Sequence, residues 1–233
     1  MINIQNVTFG YRSYQQVLED FSLDFARSGI YGLLGKNGTG KSTLLYLLMG
    51  LLRPQKGSIE VDGLSPQKRQ PELMQEMFLV PEEYDLPHIS LRKYVRAVRP
   101  FYPRFSEEIL HGCLDNFEMP TDLNLGELSM GQKKKVYMSI ALASNTHYLF
   151  MDEPTNGLDI LSKSQFRKAV IDGMTDERTV VVSTHQVHDV ERLLDHICII
   201  EPGKVLLNEP LVEEDKAIDL EELFIQTVDG RRI

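Results

Sequence analysis

Gly35-Lys36-Asn37-Gly38-Thr39-Gly40-Lys41-Ser42 decides the reading of this chain. The run fits the phosphate-loop pattern G-x-x-x-x-G-K-[ST]. Its glycines let the backbone bend tightly and turn its N–H groups inward on an anion. A helix that starts here presents a partial positive charge to the same anion. Lys41 adds a full charge at the outer phosphates, and the Ser42 hydroxyl is a potential Mg²⁺ ligand. The flanks supply the context that such a loop needs. Gly29-Ile30-Tyr31-Gly32-Leu33-Leu34 reads as a short buried strand, and Leu44, Leu45, Leu47, Leu48 and Leu51 keep an apolar stripe at helical spacing. Arg53-Pro54-Gln55-Lys56-Gly57 punctuates the end of that helix.

Further strands are expected on both sides. Ile2, Ile4, Val7 and Phe9 alternate, as do Leu18, Phe21, Leu23 and Phe25. Residues 58–62 and Phe78-Leu79-Val80 read as strands, as do Tyr148-Leu149-Phe150-Met151, Thr179-Val180-Val181-Val182-Ser183 and His196-Ile197-Cys198-Ile199-Ile200. The last two are almost continuously apolar, as parallel strands covered on both faces are. Over 89–138 the β-branched runs give way to helical spacing, through Leu91, Tyr94, Val95, Val98, Ile109, Leu110, Leu114 and Phe117. The pattern is that of an α/β domain carrying a helical insertion.

Composition narrows the function classes. The chain has 233 residues, 42% of them hydrophobic and 25% charged, which suits one large folded domain. The longest apolar run, 44–52, is far below the ~20 residues of a bilayer span, so any membrane path is expected on another protein. The start, Met1-Ile2-Asn3-Ile4-Gln5-Asn6, has neither the basic nor the apolar region of a secretion signal. Cys113 and Cys198 lack the spacing of a zinc site and fit a reducing compartment. A net charge of −9 argues against a nucleic-acid partner. Lys133-Lys134-Lys135 runs against that balance and reads as a solvated helix face.

Two further segments carry chemistry. The strand 148–151 runs into Asp152 and Glu153, and ligands of parallel sheets gather at the carboxyl ends of strands. Asp152 is there to hold Mg²⁺ opposite Ser42. Glu153 is placed to take a proton from the water that attacks a γ-phosphate. His185 follows the strand 179–183, which would deliver its imidazole to the same edge as a hydrogen-bond donor to a transferring phosphoryl group.

Taken together, these residues resemble the nucleotide-binding subunit of an ATP-binding-cassette (ABC) transporter. Leu128-Ser129-Met130-Gly131-Gln132 is similar to the family signature, with Met130 where glycine is commoner. Asp152-Glu153-Pro154-Thr155-Asn156-Gly157-Leu158-Asp159 resembles the second nucleotide motif and the D-loop. Ser183-Thr184-His185 resembles the switch-histidine segment, and Tyr11 falls where the family stacks an aromatic ring on adenine. The resemblance implies the P-loop NTPase fold of ABC ATPases in a single domain. Residues 1–87 and 139–233 would form the RecA-like and antiparallel β core, 88–138 the helical subdomain, and 218–228 a short terminal helix. It implies MgATP as ligand, bound by Tyr11, by Gly35, Lys36, Asn37, Gly38, Thr39, Gly40, Lys41, Ser42 and Thr43, and, from a second copy, by Ser129, Gly131, Gln132 and Asp159. Catalysis would fall to Glu153, His185 and Lys41, and the metal to Ser42, Asp152 and Glu82.

Two cradles in one chain suggest that they close on one ATP from opposite sides; the resemblance implies that this happens between two copies arranged head to tail, bound to a separate permease at the inner face of the cell membrane. The tail, Asp219-Leu220-Glu221-Glu222-Leu223-Phe224-Ile225, resembles exporter-type subunits. Phe101, Tyr102 and Phe105 serve either as anchors for the permease or as core of the insertion. One position departs from the family: Phe78-Leu79-Val80-Pro81-Glu82-Glu83 aligns with the Q-loop, and Glu82 stands where glutamine is usual. A carboxylate only accepts hydrogen bonds, which ties nucleotide engagement more closely to the metal. A soluble cassette ATPase of DNA repair or translation is the second reading. A small-molecule kinase is the third, although it would have no use for the signature segment.

Overall fold

The computed structural model describes residues 1–12, 15–26, 28–211 and 219–230. Its elements run β1 (Ile2–Phe9), β2 (Leu18–Phe25), β3 (Gly29–Leu34), α1 (Lys41–Leu48), β4 (Lys56–Val61), α2 (Pro71–Met74), β5 (Met77–Val80), α3 (Leu91–Val98), α4 (Glu107–Asn116) and α5 (Met130–Ala143). There follow β6 (Tyr148–Asp152), α6 (Ile160–Asp172), β7 (Thr179–Thr184), α7 (Val187–Val190), β8 (His196–Glu201), β9 (Lys204–Pro210) and α8 (Leu220–Val228). No helix among the described residues is long and apolar enough to cross a membrane.

Two sheets form. β2, β1 and β4 make an antiparallel three-stranded sheet, and a six-stranded sheet has the order β5-β6-β7-β3-β8-β9. Its first five strands are parallel and β9 closes the edge antiparallel to β8. The parallel strands are buried on both faces, which explains their unbroken apolar runs. Alternate residues divide between the faces. Tyr31, Leu33, Phe150, Val181, Cys198 and Ile200 pack with α1 and the small sheet. Ile30, Leu34, Leu149, Met151, Val180, Val182, Ile197 and Ile199 pack with the helices of 91–143 and with α6. The helical stretch therefore shares one core with the sheet, and its last helix runs on to Ala143.

One local departure from the sequence expectation has a clear cause. Leu51 lies beyond α1 and is 55% exposed, because the helix stops at Leu48 and Gly50 takes a left-handed φ of 63°. A Cβ on Gly50 would come within 2.1 Å of the Pro66 carbonyl oxygen, so the chain turns where only glycine fits. Of the three aromatics, Phe105 is buried, Tyr102 packs against Phe78 with ring centroids 5.1 Å apart, and only Phe101 is exposed. The first two belong to the core.

The largest buried charge lies away from the phosphate loop. Arg178 is 1% exposed, and its hydrogen-bond partners among the described residues are neutral. Its guanidinium donates to the carbonyls of Thr146 (3.0 Å), Leu142 (3.4 Å) and Gly173 and to Asn145 Oδ1 (2.9 Å). Leu142 and Gly173 close the C-terminal ends of α5 and α6, where a cation opposes the helix dipoles. Burial pulls the Arg178 pKa down to about 10, so it stays charged at neutral pH. Arg178→Met would strand these acceptors and is expected to lower stability by about 3 kcal/mol, read from urea unfolding curves.

Candidate active site

Register brings the site together. β7 lies between β6 and β3, pairing Asp152 with Ser183 and Leu34 with Thr184. The carboxyl ends of three adjacent strands thus carry the phosphate loop, the carboxylate pair and the histidine side by side. The loop bends through Gly38 (φ 83°) and Gly40 (φ 99°), conformations that a side chain would strain. Thr39 Oγ1 donates to the Lys36 carbonyl at 3.0 Å, closing the turn. Gly40 is the N-cap of α1 and supplies no side chain, which leaves the first N–H groups of the helix open to a ligand.

Lys41 is 5% exposed. Its ammonium donates to the carbonyls of Gly35 (2.7 Å) and Lys36 (3.3 Å) and lies 3.4 Å from Glu153 Oε1. The same Glu153 oxygen is 2.9 Å from His185 Nδ1. One buried carboxylate oxygen is therefore shared by the lysine of the loop and the imidazole after β7. An ionised carboxylate only accepts, so Nδ1 carries the proton of that contact. Nε2 is then the nitrogen left for a phosphoryl oxygen, and it donates only in the imidazolium form.

Glu153 has a left-handed backbone, φ 45°. Non-glycine residues hold such a conformation only where the surroundings impose it. Here its N–H donates to the Ser183 carbonyl at 3.0 Å, while its own carbonyl accepts from Asn156 N (3.2 Å) and from the Lys134 ammonium (3.4 Å). Asp152 is 1% exposed and accepts from the Ser183 hydroxyl at 2.5 Å. Burial raises its pKa, the Ser183 and Ser42 hydroxyls work against that rise, and the neighbouring Glu153 and Glu82 add to it. A buried carboxylate with two hydroxyls beside it offers oxygen donors of the kind a divalent cation takes.

The other expected residues lie around this cluster. The Tyr11 ring is 60% exposed, meets Phe9 edge-on at 5.1 Å, and brings its hydroxyl to 3.2 Å from Thr43 Oγ1. An aromatic face is thus open beside the first turn of α1. Glu82 is exposed, and its Oε1 accepts from Asn156 Nδ2 at 3.1 Å. Ser129, Gly131 and Gln132 stand apart at the start of α5, with no hydrogen bond to the cluster among the described residues. There Ser129 and Gln132 form a reciprocal capping box. That uses an acceptor site of the Ser129 hydroxyl and leaves its proton to donate. Asp159 is the N-cap of α6, accepting from Ser162 N at 2.8 Å, and beside it Ile160 and Leu161 are strongly exposed. The signature and D-loop segments therefore share an outward aspect.

Three site residues escaped the sequence reading: Ser183, Asn156 and Lys134. A small hydroxyl inside an apolar strand was the available signal for Ser183. The basic triplet is not a solvated face. Lys133 pairs with Asp85 at 2.8 Å, Lys135 donates to Gln165 Oε1 at 3.1 Å, and Lys134 is half-buried against the turn after Glu153.

Comparisons with known proteins place the chain in a family. YtrB, an ABC transporter ATP-binding protein of Bacillus subtilis (strain 168), is 29% identical over 194 residues, which cover 82% of this chain and 65% of that protein. The chain thus spans a little under two thirds of the length of YtrB. The Nod factor export ATP-binding protein I of Burkholderia lata (strain ATCC 17760 / DSM 23089 / LMG 22485 / NCIMB 9086 / R18194 / 383) is 28% identical over 218 residues, covering 89% of this chain and 71% of that one. A solved ATP binding subunit of an ABC transporter matches with a TM-score of 0.85 at 24% identity, covering 98% of this chain and 99% of that one, and so shares its fold. The ABC transporter family matches residues 18–156, more than half of the chain. With the phosphate loop, the carboxylate pair and the histidine on adjoining strand ends, the chain belongs to the ABC transporter ATP-binding family, whose members hydrolyse ATP.

Proposed function

We propose that this chain hydrolyses ATP to drive an export-type membrane transporter, as one of two copies that close head to tail on shared nucleotide. The observation that carries the reading is the Glu153 oxygen shared by Lys41 and His185, beside the buried Asp152. An ATP triphosphate in the loop would take hydrogen bonds from the backbone N–H groups of 35–43, and its γ-phosphate would compete with Glu153 for Lys41. Released from Lys41, Glu153 accepts the proton of the attacking water. His185 steadies the transferring group through Nε2. Tyr11 offers its open face to adenine.

Asp152, Ser42 and Glu82 are the residues that would hold Mg²⁺. The cation would neutralise charge on the β- and γ-oxygens. The acid-rich, hydroxyl-flanked surroundings of Asp152 fit such an ion. Ser129, Gly131, Gln132 and Asp159, outward-facing at the starts of α5 and α6, would complete the site of the partner copy rather than their own. The export direction rests on the name of the Nod factor relative and on the tail. Its α8 is capped by Asp219 and lies within the described residues, whereas Ile218 lies outside them. The transporter family favours this reading over repair or translation, and over transfer to a small acceptor.

The permease partner would meet the helical stretch. A groove of about 710 Å³ between α3 and α4 has Leu91 and Val95 on its floor and Arg92, Arg96 and Arg99 on its rim. Glu107, paired with Arg99 at 2.7 Å, and Asp122 also line the groove, so Arg92 and Arg96 are the cations it would offer to the carboxylates of an amphipathic segment. Phe101 is exposed just beyond them.

Glu153→Gln should keep ATP binding, lose steady turnover and accumulate an ATP-bound dimer on size exclusion; unchanged turnover would remove Glu153 as the base. Ser129→Arg should prevent that dimer while nucleotide affinity of the single chain persists, and dimers surviving the change would overturn the shared site. Charge reversal by Arg92→Glu with Arg96→Glu should abolish co-purification with the membrane partner and leave ATP binding of the chain alone intact. Undiminished co-purification would move the docking surface elsewhere.

A further inference from the structure

Lys134 links two parts of the molecule that the proposed function assigns to different nucleotides. It lies in the second turn of α5, five residues after Ser129. Its ammonium donates to the Asn156 carbonyl at 2.7 Å and to the Glu153 carbonyl at 3.4 Å. Asn156 in turn holds the Glu82 carboxylate through its side chain at 3.1 Å. Lys133 and Lys135 turn to Asp85 and Gln165 instead. Of the triplet, only Lys134 reaches the catalytic turn.

The charges favour this arrangement. Burial lowers the Lys134 pKa, and Glu82, then Glu153 and Asp152, oppose that effect. The strained φ of 45° at Glu153 is fixed partly by what its carbonyl accepts, and the lysine is one of those donors. An α-helix moves as a stiff unit over a few turns, and Lys134 sits only about 7 Å along the axis from Ser129. A shift of the signature segment therefore reaches the Glu153 turn through one side chain.

We propose that Lys134 is a positioning residue that couples the two nucleotide sites. It carries the position of the signature segment, which faces the nucleotide of the partner, to Glu153 and Glu82 in its own chain. Engagement of one ATP by Ser129 seats α5, and the lysine then sets the aim of the base in the opposite site. The inference rests on the head-to-tail reading above.

The test compares the full chain, Lys134→Met and Lys134→Arg, in ATP turnover against ATP concentration and in ADP affinity by calorimetry. Lys134→Met should cut kcat by about tenfold or more, because a small misplacement of a catalytic group has that effect. ADP affinity should stay within about twofold, and the Hill coefficient should fall from above one to about one as coupling between the sites is lost. Lys134→Arg should restore most of both. Unchanged kcat or an unchanged Hill coefficient in Lys134→Met would overturn the inference. So would a loss of turnover matched by an equal loss of ADP affinity that arginine does not repair. Absence of turnover in the wild-type chain is a different result, which removes the proposed function and this inference with it.

Discussion

A single carboxylate oxygen, Glu153 Oε1, lies within reach of two nitrogen groups, the buried Lys41 ammonium and the partly exposed His185 imidazole. Low dielectric makes each of these attractions stronger than it would be in solution, and an unpaired charge there would be costly. The site therefore holds its lysine and its base in mutual check. On the proposed reading, an incoming phosphate would supply the alternative anion for Lys41 and weaken its hold on Glu153, while His185 keeps its contact with that oxygen. Binding and activation within one site would then be coupled by electroneutrality.

That arrangement depends on strand register. Asp152 pairs with Ser183 and Leu34 with Thr184, so a slip of one residue in β6 or β7 would turn Asp152 or Ser183 towards the opposite face of the sheet. Burial on both faces guards against such a slip. Phe150 and Val181 point into one core, and Met151 and Val182 into the other. Apolar packing thus fixes the position of charges that, left alone, would favour solvent.

Motifs that act through backbone shape were legible from the chain alone. Glycines at fixed offsets, an apolar strand before them and a leucine stripe after them place the phosphate cradle without any long-range information. The parallel strands were equally plain, since Val180, Val181 and Val182 leave little else to be inferred. What escaped depends on contacts between distant segments. The position of Lys134 in a helix does not reveal that the Asn156 carbonyl lies opposite, 22 residues away. The edge strand β9, Lys204–Pro210, was not read, because polar residues interrupt it and its pairing with β8 supplies the order. The end of α1 was missed for a related reason: Leu51 continues the stripe, and the close approach of Pro66 to Gly50 is a tertiary fact.

The buried Arg178 and the half-buried Lys134 divide the labour on α5. Arg178 grips the last turn of α5 and the end of α6 from the residue before β7, binding four acceptors that leave its planar guanidinium little freedom. Lys134 holds the opposite end of α5 through a flexible stem and two carbonyls. The same guanidinium holds the C-terminal end of α6, whose N-cap is Asp159. The two outward-facing segments thus begin helices whose C-terminal ends share one buried guanidinium.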